Sequence, residues 1–231
     1  MKLAQYKNNF GKLQSLIALF ILCIVFGLLS DKFFTVANGL NVMRQISVNI
    51  CIAVGMTLII ITAGIDLSVG SVLALCGAVT AGLLKNGITL PPLNLFVEFT
   101  ILGAILAGII VGSLLGFFNG LVITKFKVPP FVATLAMLTI ARGLTMLYTN
   151  GFPISSFASS FTFIGAGWLL GLPVPVWIAA IIVVAAIIVT KKIKLGRYIF
   201  AIGGNENAAK LSGINISRVK IITYTIAGAL A

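Results

Sequence analysis

The chain has 231 residues, 60% of them hydrophobic and only 9% charged, and it carries a net charge of +12. Soluble domains are about 25% charged, so this chain cannot clothe a water-facing surface and a soluble globular protein is excluded. Histidine is absent, which excludes His-based metal sites and His-based catalysis. Cys23, Cys51 and Cys76 each sit inside an apolar run and show neither disulfide nor metal-ligand spacing.

In chain order, Lys2, Lys7 and Lys12 precede an apolar run from Leu16 to Leu29. The following Ser30-Asp31-Lys32-Phe33-Phe34 offers no small-x-small cleavage site, so the run predicts a retained first span, about 13–29. The next apolar stretch, Ile46 to Leu84, has 39 residues and a single charge, Asp66. As one helix it would be about 58 Å long, against a hydrocarbon core of about 30 Å, so it must fold back. Ala63-Gly64-Ile65-Asp66 is the natural break, with Gly loosening one helix and Asp starting another. Spans 2 and 3 are therefore expected at about 46–63 and 67–84.

A turn-rich loop follows, with Lys85-Asn86-Gly87, Pro91-Pro92, Asn94 and Glu98. Span 4, about 99–124, ends at Lys125-Phe126-Lys127-Val128-Pro129-Pro130, because Pro cannot continue a helix. Span 5, about 131–148, leads into a Gly/Ser/Pro-rich loop over about 150–173. Span 6, about 174–190, carries Trp177 as an interfacial anchor. A polar stretch over about 191–220 precedes a last apolar run, Ile221 to Ala231. Its eleven residues fall short of the ~20 that a span needs, so a fragment or a truncated product is expected. The fold class is all-α: a polytopic membrane helical bundle of about six complete spans plus the start of a seventh.

With the N-terminus inside, twelve of the Lys and Arg residues fall in inside connections; Lys32, Arg44 and Lys85 fall outside, and Arg142 lies within span 5. This bias follows the positive-inside rule and supports the break at Gly64–Asp66. It also explains the basic charge without nucleic acid. In span 4, Gly108, Gly112, Gly116 and Gly120 recur every four residues, a ribbon that lets a neighbouring helix approach closely.

Two features carry candidate function. In Gly64-Ile65-Asp66-Leu67-Ser68-Val69-Gly70-Ser71, Asp66 reads as a cap for span 3, with Ser68 and Ser71 meeting further free N–H groups. The compatible functional reading makes this broken segment part of a transport path or gate. In the second, Gly203-Gly204-Asn205 reads as a turn and an N-cap, Glu206–Lys210 as an i,i+4 pair and Gly213 as a helix stop. The short helix so defined is either a plain connector or a plug for a cytoplasmic partner. Arg142 either snorkels to the outer interface or bonds within the bundle or to sugar hydroxyls. Asn215-Ile216-Ser217 is a glycosylation look-alike on the inside, and no phosphate-binding loop is present, so the chain has no nucleotide site of its own.

Asn207-Ala208-Ala209-x-x-x-Gly213 resembles the EAA-x-x-x-G coupling loop of ATP-binding-cassette importer permeases, with Asn where the consensus has Glu. Further stretches strengthen the resemblance: Ser47-Val48-Asn49 with Ala53 to Leu58, GIDLSVGSVLAL from Gly64 to Leu75, Arg142 to Gly151, Leu195-Gly196-Arg197-Tyr198, and Gly203 to Glu206. Together they resemble the ribose-type sugar permeases. The resemblance implies a single permease domain over 1–231, incomplete at its C-terminus, with a cytoplasmic coupling segment near 191–220. It implies an importer of ribose or a related monosaccharide in the bacterial inner membrane, with no catalytic residue, bound metal or cofactor in this chain. Asn205, Glu206, Asn207, Ala208, Ala209, Lys210 and Gly213 would couple to a separate ATPase that holds ATP and magnesium, with Glu206 standing in for the missing carboxylate at Asn207. Asn49, Gly64, Asp66, Ser68, Gly70, Arg142 and Asn150 are candidates for the path or gate. The implied partners are the ATPase, a periplasmic sugar-binding protein, a second permease copy and the lipid bilayer. The alternative is an ion-coupled secondary transporter with Asp66 as the ion or proton site.

Overall fold

A computed structural model describes residues 2–90 and 95–231, and side chains are described at Gln14, over 16–89 and from 95 onward. The predicted turn residues Pro91, Pro92 and Asn94 lie outside the described residues, as do the side chains of Lys2, Lys7 and Lys12. The chain forms two compact units, Met1–Gln45 and Ile46–Ala231.

The first unit holds α1 (Lys2–Leu29), a short turn and the start of α2 (Val36–Ile61). Ser30 N–H donates to the Phe26 carbonyl at 3.0 Å and Phe33 N–H to the Ser30 carbonyl at 3.0 Å, which closes the turn. Thr35 then caps α2, its Oγ1 accepting from Asn38 N at 3.3 Å, while Asn38 Nδ2 reaches back to the Phe33 carbonyl at 2.8 Å. Phe33 stacks on Phe26 with ring centroids 5.9 Å apart.

The second unit continues α2 and adds α3 (Val69–Asn86), a hairpin of β1 (Ile88–Leu90) and β2 (Leu95–Val97), α4 (Ile101–Lys125) and α5 (Pro130–Thr149). Then come α6 (Ser159–Ala166), a second hairpin of β3 (Trp168–Leu169) and β4 (Leu172–Pro173), α7 (Val174–Lys192), α8 (Lys194–Gly204), α9 (Glu206–Leu211) and α10 (Ile216–Leu230). Among the described residues, α2, α3, α4, α5 and α7 are long and apolar enough to cross a membrane, and the apolar part of α1, Leu16–Leu29, is shorter. The chain is an all-α, multi-pass membrane bundle.

The predicted fold-back occurs where expected, since α2 ends at Ile61 and α3 starts at Val69. Loops read as irregular hold structure of their own. Both hairpins pair antiparallel, with Thr89 opposite Phe96 and Leu169 opposite Leu172. Trp177 Nε1 donates to the Leu169 carbonyl at 3.1 Å, tying α7 to the second hairpin. The predicted turn at Gly203-Gly204 is a correction: both residues close α8. The sequence reads there as a breaker, but Gly203 lies on the Ile61 carbonyl, where a side chain would not fit.

α4 occupies the centre, packed on α3, α5 and α10. Lipid is as apolar as the helices themselves, so close fit rather than the hydrophobic effect must hold them together. The glycine ribbon supplies that fit, and Gly108, Gly112, Gly116 and Gly120 are all buried. Gly108 meets Thr80 of α3, Gly112 meets Gly228, Gly116 meets the Tyr224 carbonyl, and Gly120 lies against Ile221. α7 stands at the periphery and buries only Ala179.

Candidate functional site

The link between α2 and α3 is built from the backbone outward. Ala63 takes a left-handed conformation (φ 57°), its N–H bonding the Ile60 carbonyl at 2.9 Å, while Gly64 N–H returns to the Ile59 carbonyl at 3.0 Å. These two bonds form the 5→2 and 6→1 closure of a helix end. The left-handed residue is therefore Ala63 and not Gly64. Glycine is needed at 64 for space, because a methyl group there would come within 2.8 Å of Tyr224 Oη and 2.9 Å of Ile59 Cγ2. Tyr224 Oη donates to the Ile65 carbonyl at 3.1 Å, so a backbone acceptor at membrane depth is satisfied by α10.

Asp66 does not cap α3. Ser68 holds the cap position without a side-chain cap bond, and Asp66 acts one step earlier. Its Oδ1 accepts from Ser68 N at 2.8 Å and from Ser68 Oγ at 2.6 Å. Asn119 of α4 then donates through Nδ2 to Ser68 Oγ at 3.1 Å. Asp66, Ser68 and Asn119 are 7%, 0% and 2% exposed. Thr134 of α5 bonds its own helix at the Pro130 carbonyl (2.8 Å) and lies 3.5 Å from the Ile65 carbonyl. The break is thus held by α4, α5 and α10 at once. Of the predicted path residues, the structure brings Gly64, Asp66 and Ser68 together. Gly70 is exposed in the first turn of α3, and Asn49 on α2 and Arg142 on α5 are uncovered by the rest of the chain. Asn150 is exposed and left-handed (φ 51°), ending α5.

The second site follows α8. Asn205 caps α9, its Oδ1 accepting from Ala208 N at 3.0 Å. Gly213, at φ 83°, ends it with paired bonds: Gly213 N–H to the Lys210 carbonyl at 3.0 Å and Ile214 N–H to the Ala209 carbonyl at 3.1 Å. The predicted cap, short helix and stop are all present. The predicted Glu206–Lys210 pair is not. Glu206 Oε2 instead accepts from Lys220 Nζ of α10 at 2.8 Å, a bond that joins α9 to the next helix. A helix this short is marginal alone. It is held by Ala209, which packs in a buried cluster with Leu58 of α2, Ile199 and Ile202 of α8, and Val219 of α10. Asn207 and Leu211 point away, and Leu211 is 90% exposed. Leu58 sits one turn before the α2 break, so both sites share one end of the bundle.

The sequence profile of the family described as branched-chain amino acid transport system / permease component matches residues 38–231. The chain belongs to this family. Similar members include the ribose import permease protein RbsC of Haemophilus influenzae, 45% identical over 222 residues that cover 94% of this chain and 65% of that protein. RbsC of Bacillus subtilis is 44% identical over 95% of this chain and 66% of its own length. The D-allose transport system permease protein AlsC of Escherichia coli K12 is 34% identical over 91% of this chain and 62% of its own. The chain therefore spans just under two thirds of these permeases. No solved structure matches.

Sequence reasoning missed Asn119, Thr134 and Tyr224. Asn119 and Thr134 are isolated polar residues in apolar helices, where a buried partner is the rule, and that signal alone could have singled them out.

Proposed function

We propose that this chain is the permease subunit of an ATP-driven importer for ribose or a related monosaccharide, working in the bacterial inner membrane with its N-terminus cytoplasmic. The observation that carries the reading is α9. It is a six-residue helix, capped at both ends and riveted through Ala209 to the last turn of α2, yet it turns Leu211 outward. A short helix fixed at both ends that leaves Asn207 and Leu211 uncovered fits a docking element. The names of the relatives, ribose import and D-allose transport permeases, agree with a sugar as cargo.

A separate ATPase, carrying ATP and magnesium, would seat on residues 205–213, with Asn205, Glu206, Asn207, Ala208, Ala209, Lys210 and Gly213 forming the contact or its support. Glu206 supplies the carboxylate that Asn207 lacks and commits it to Lys220, which ties α9 to α10. Displacement of α9 then bears on α2 at Leu58, beside the break held by Asp66, Ser68 and Asn119. That break, with Gly64, Gly70, Asn49, Arg142 and Asn150, is the proposed region of the path or gate. A periplasmic sugar-binding protein delivers substrate, and a second permease copy completes the pathway. The ion-coupled alternative finds no support among the relatives, which are named as ribose import and D-allose transport permeases.

The test is site-directed crosslinking from Leu211→Cys in the assembled importer, with sugar uptake measured in vesicles. Capture of an ATPase subunit, and uptake that stops without ATP but survives collapse of the proton and sodium gradients, is the expected result. Uptake that follows the ion gradients, together with a Leu211→Cys variant that captures nothing, would overturn the proposal.

A further inference from the structure

A cavity of about 480 Å³ lies where the end of α4 meets α9 and the start of α10. Ile123, Ile214 and Ile216 line it together with Lys127, Lys210 and Lys220 and one acid, Glu206. Glu206 is committed to Lys220 at 2.8 Å, which leaves Lys127 and Lys210 without an anionic partner among the described residues. Three cations less one anion give the cavity a net charge of +2. Lys127 is held there in a left-handed backbone conformation (φ 56°), just past the end of α4. Ile123 and Thr124 belong to the last turn of that spanning helix, so the cavity sits at the depth where hydrocarbon gives way to headgroups.

We infer that this cavity binds the headgroup phosphate of an anionic phospholipid of the surrounding leaflet, with Lys127 and Lys210 on the phosphate and the isoleucines against the start of the acyl chains. Basic pockets between spanning helices near the cytoplasmic surface recognise lipid headgroups by this chemistry. The mixed lining favours a lipid over a free anion: a soluble phosphate has no use for the isoleucines, whereas a phospholipid presents both charge and hydrocarbon. The inference does not depend on the importer reading.

The test uses the full chain in nanodiscs of zwitterionic phosphatidylcholine doped with phosphatidylglycerol, with lipid retention read by native mass spectrometry. Phosphatidylglycerol should be retained about five-fold over phosphatidylcholine for each lysine engaged at low salt. Lys127→Gln should cut that preference about five-fold, while Lys192→Gln, which removes the same charge from the end of α7 outside the cavity, should keep it. Equal retention of the two lipids by the unaltered chain, or equal loss in both variants, would overturn the assignment. Thermal stabilisation by inorganic phosphate in pure phosphatidylcholine discs, with no response to phosphatidylglycerol, would assign the site to a free anion and overturn it too. So would loss of a co-purified ATPase from Lys127→Gln with lipid retention untouched, because the cavity would then face an acidic surface of that subunit.

Discussion

Replacing Ser68 with alanine removes one hydroxyl that serves two partners. Its oxygen donates to Asp66 at 2.6 Å and accepts from Asn119 at 3.1 Å, in a site that is 0% exposed. Without it, Asn119 Nδ2 is left buried with no acceptor, and Asp66 keeps only the Ser68 N–H. An unmade buried hydrogen bond costs about 1–3 kcal/mol. Polar contacts between membrane helices average nearer 0.6 and reach about 1.7 kcal/mol, because the unfolded chain also finds partners in the bilayer. Two lost contacts, one of them to a carboxyl, place Ser68→Ala at about 1.5–3 kcal/mol. The sharper quantity is the coupling. Asn119→Leu removes the donor at similar volume, so the double variant should lose about 0.6–1.7 kcal/mol less than the two single losses added together. The assay is unfolding by sodium dodecyl sulfate in mixed micelles, followed by circular dichroism on all four members of the cycle. Additivity within about 0.3 kcal/mol would refute the claim that Ser68 links the α2–α3 break to α4.

Gly116→Val should be strongly damaging. Its Cβ would land on the Tyr224 carbonyl, and overpacking of this kind costs about 1–3 kcal/mol or more, visible in the same unfolding assay. Gly213→Val meets no neighbour and acts through the backbone alone, since φ is 83°. A cost of about 1–2 kcal/mol falls on the end of α9, so the expected readout is ATP hydrolysis that continues while sugar uptake drops. Glu206→Gln should cost less than about 1 kcal/mol, because the Lys220 pair is half open on the Glu206 side (50% exposed), and the loss should shrink in high salt.

The break in the long apolar run was legible because 39 residues cannot cross a membrane as one helix, a constraint of length that needs no knowledge of packing. The cap and stop of α9 were legible for a similar reason: Asn205 and Gly213 act within a few residues of themselves. What escaped was everything decided at long range. Asn119 meets Ser68 across 51 positions and Tyr224 meets Ile65 across 159, and no local pattern reports either pairing. The same physics explains the errors. Local rules favoured Asp66 as the cap of α3 and Lys210 as the partner of Glu206, whereas Asp66 bonds Ser68 ahead of the helix. Glu206 pairs with Lys220 because α10 brings it within reach. α8 was missed because Gly203-Gly204 looks like a turn, whereas Gly203 lies against backbone at Ile61.

Where α4 crosses α10, main chain rests on main chain: Gly112 touches the Gly228 carbonyl, Gly228 returns the contact, and Gly116 sits on Tyr224. A seam of this kind has no rotamers to reshuffle and hence no compliance. α10, a rod about 22 Å long at 1.5 Å per residue, is in effect welded to its neighbour along most of that length. A shove delivered at Asn215 cannot be absorbed on the way; it must arrive at Gly228 as the translation or tilt of two helices together.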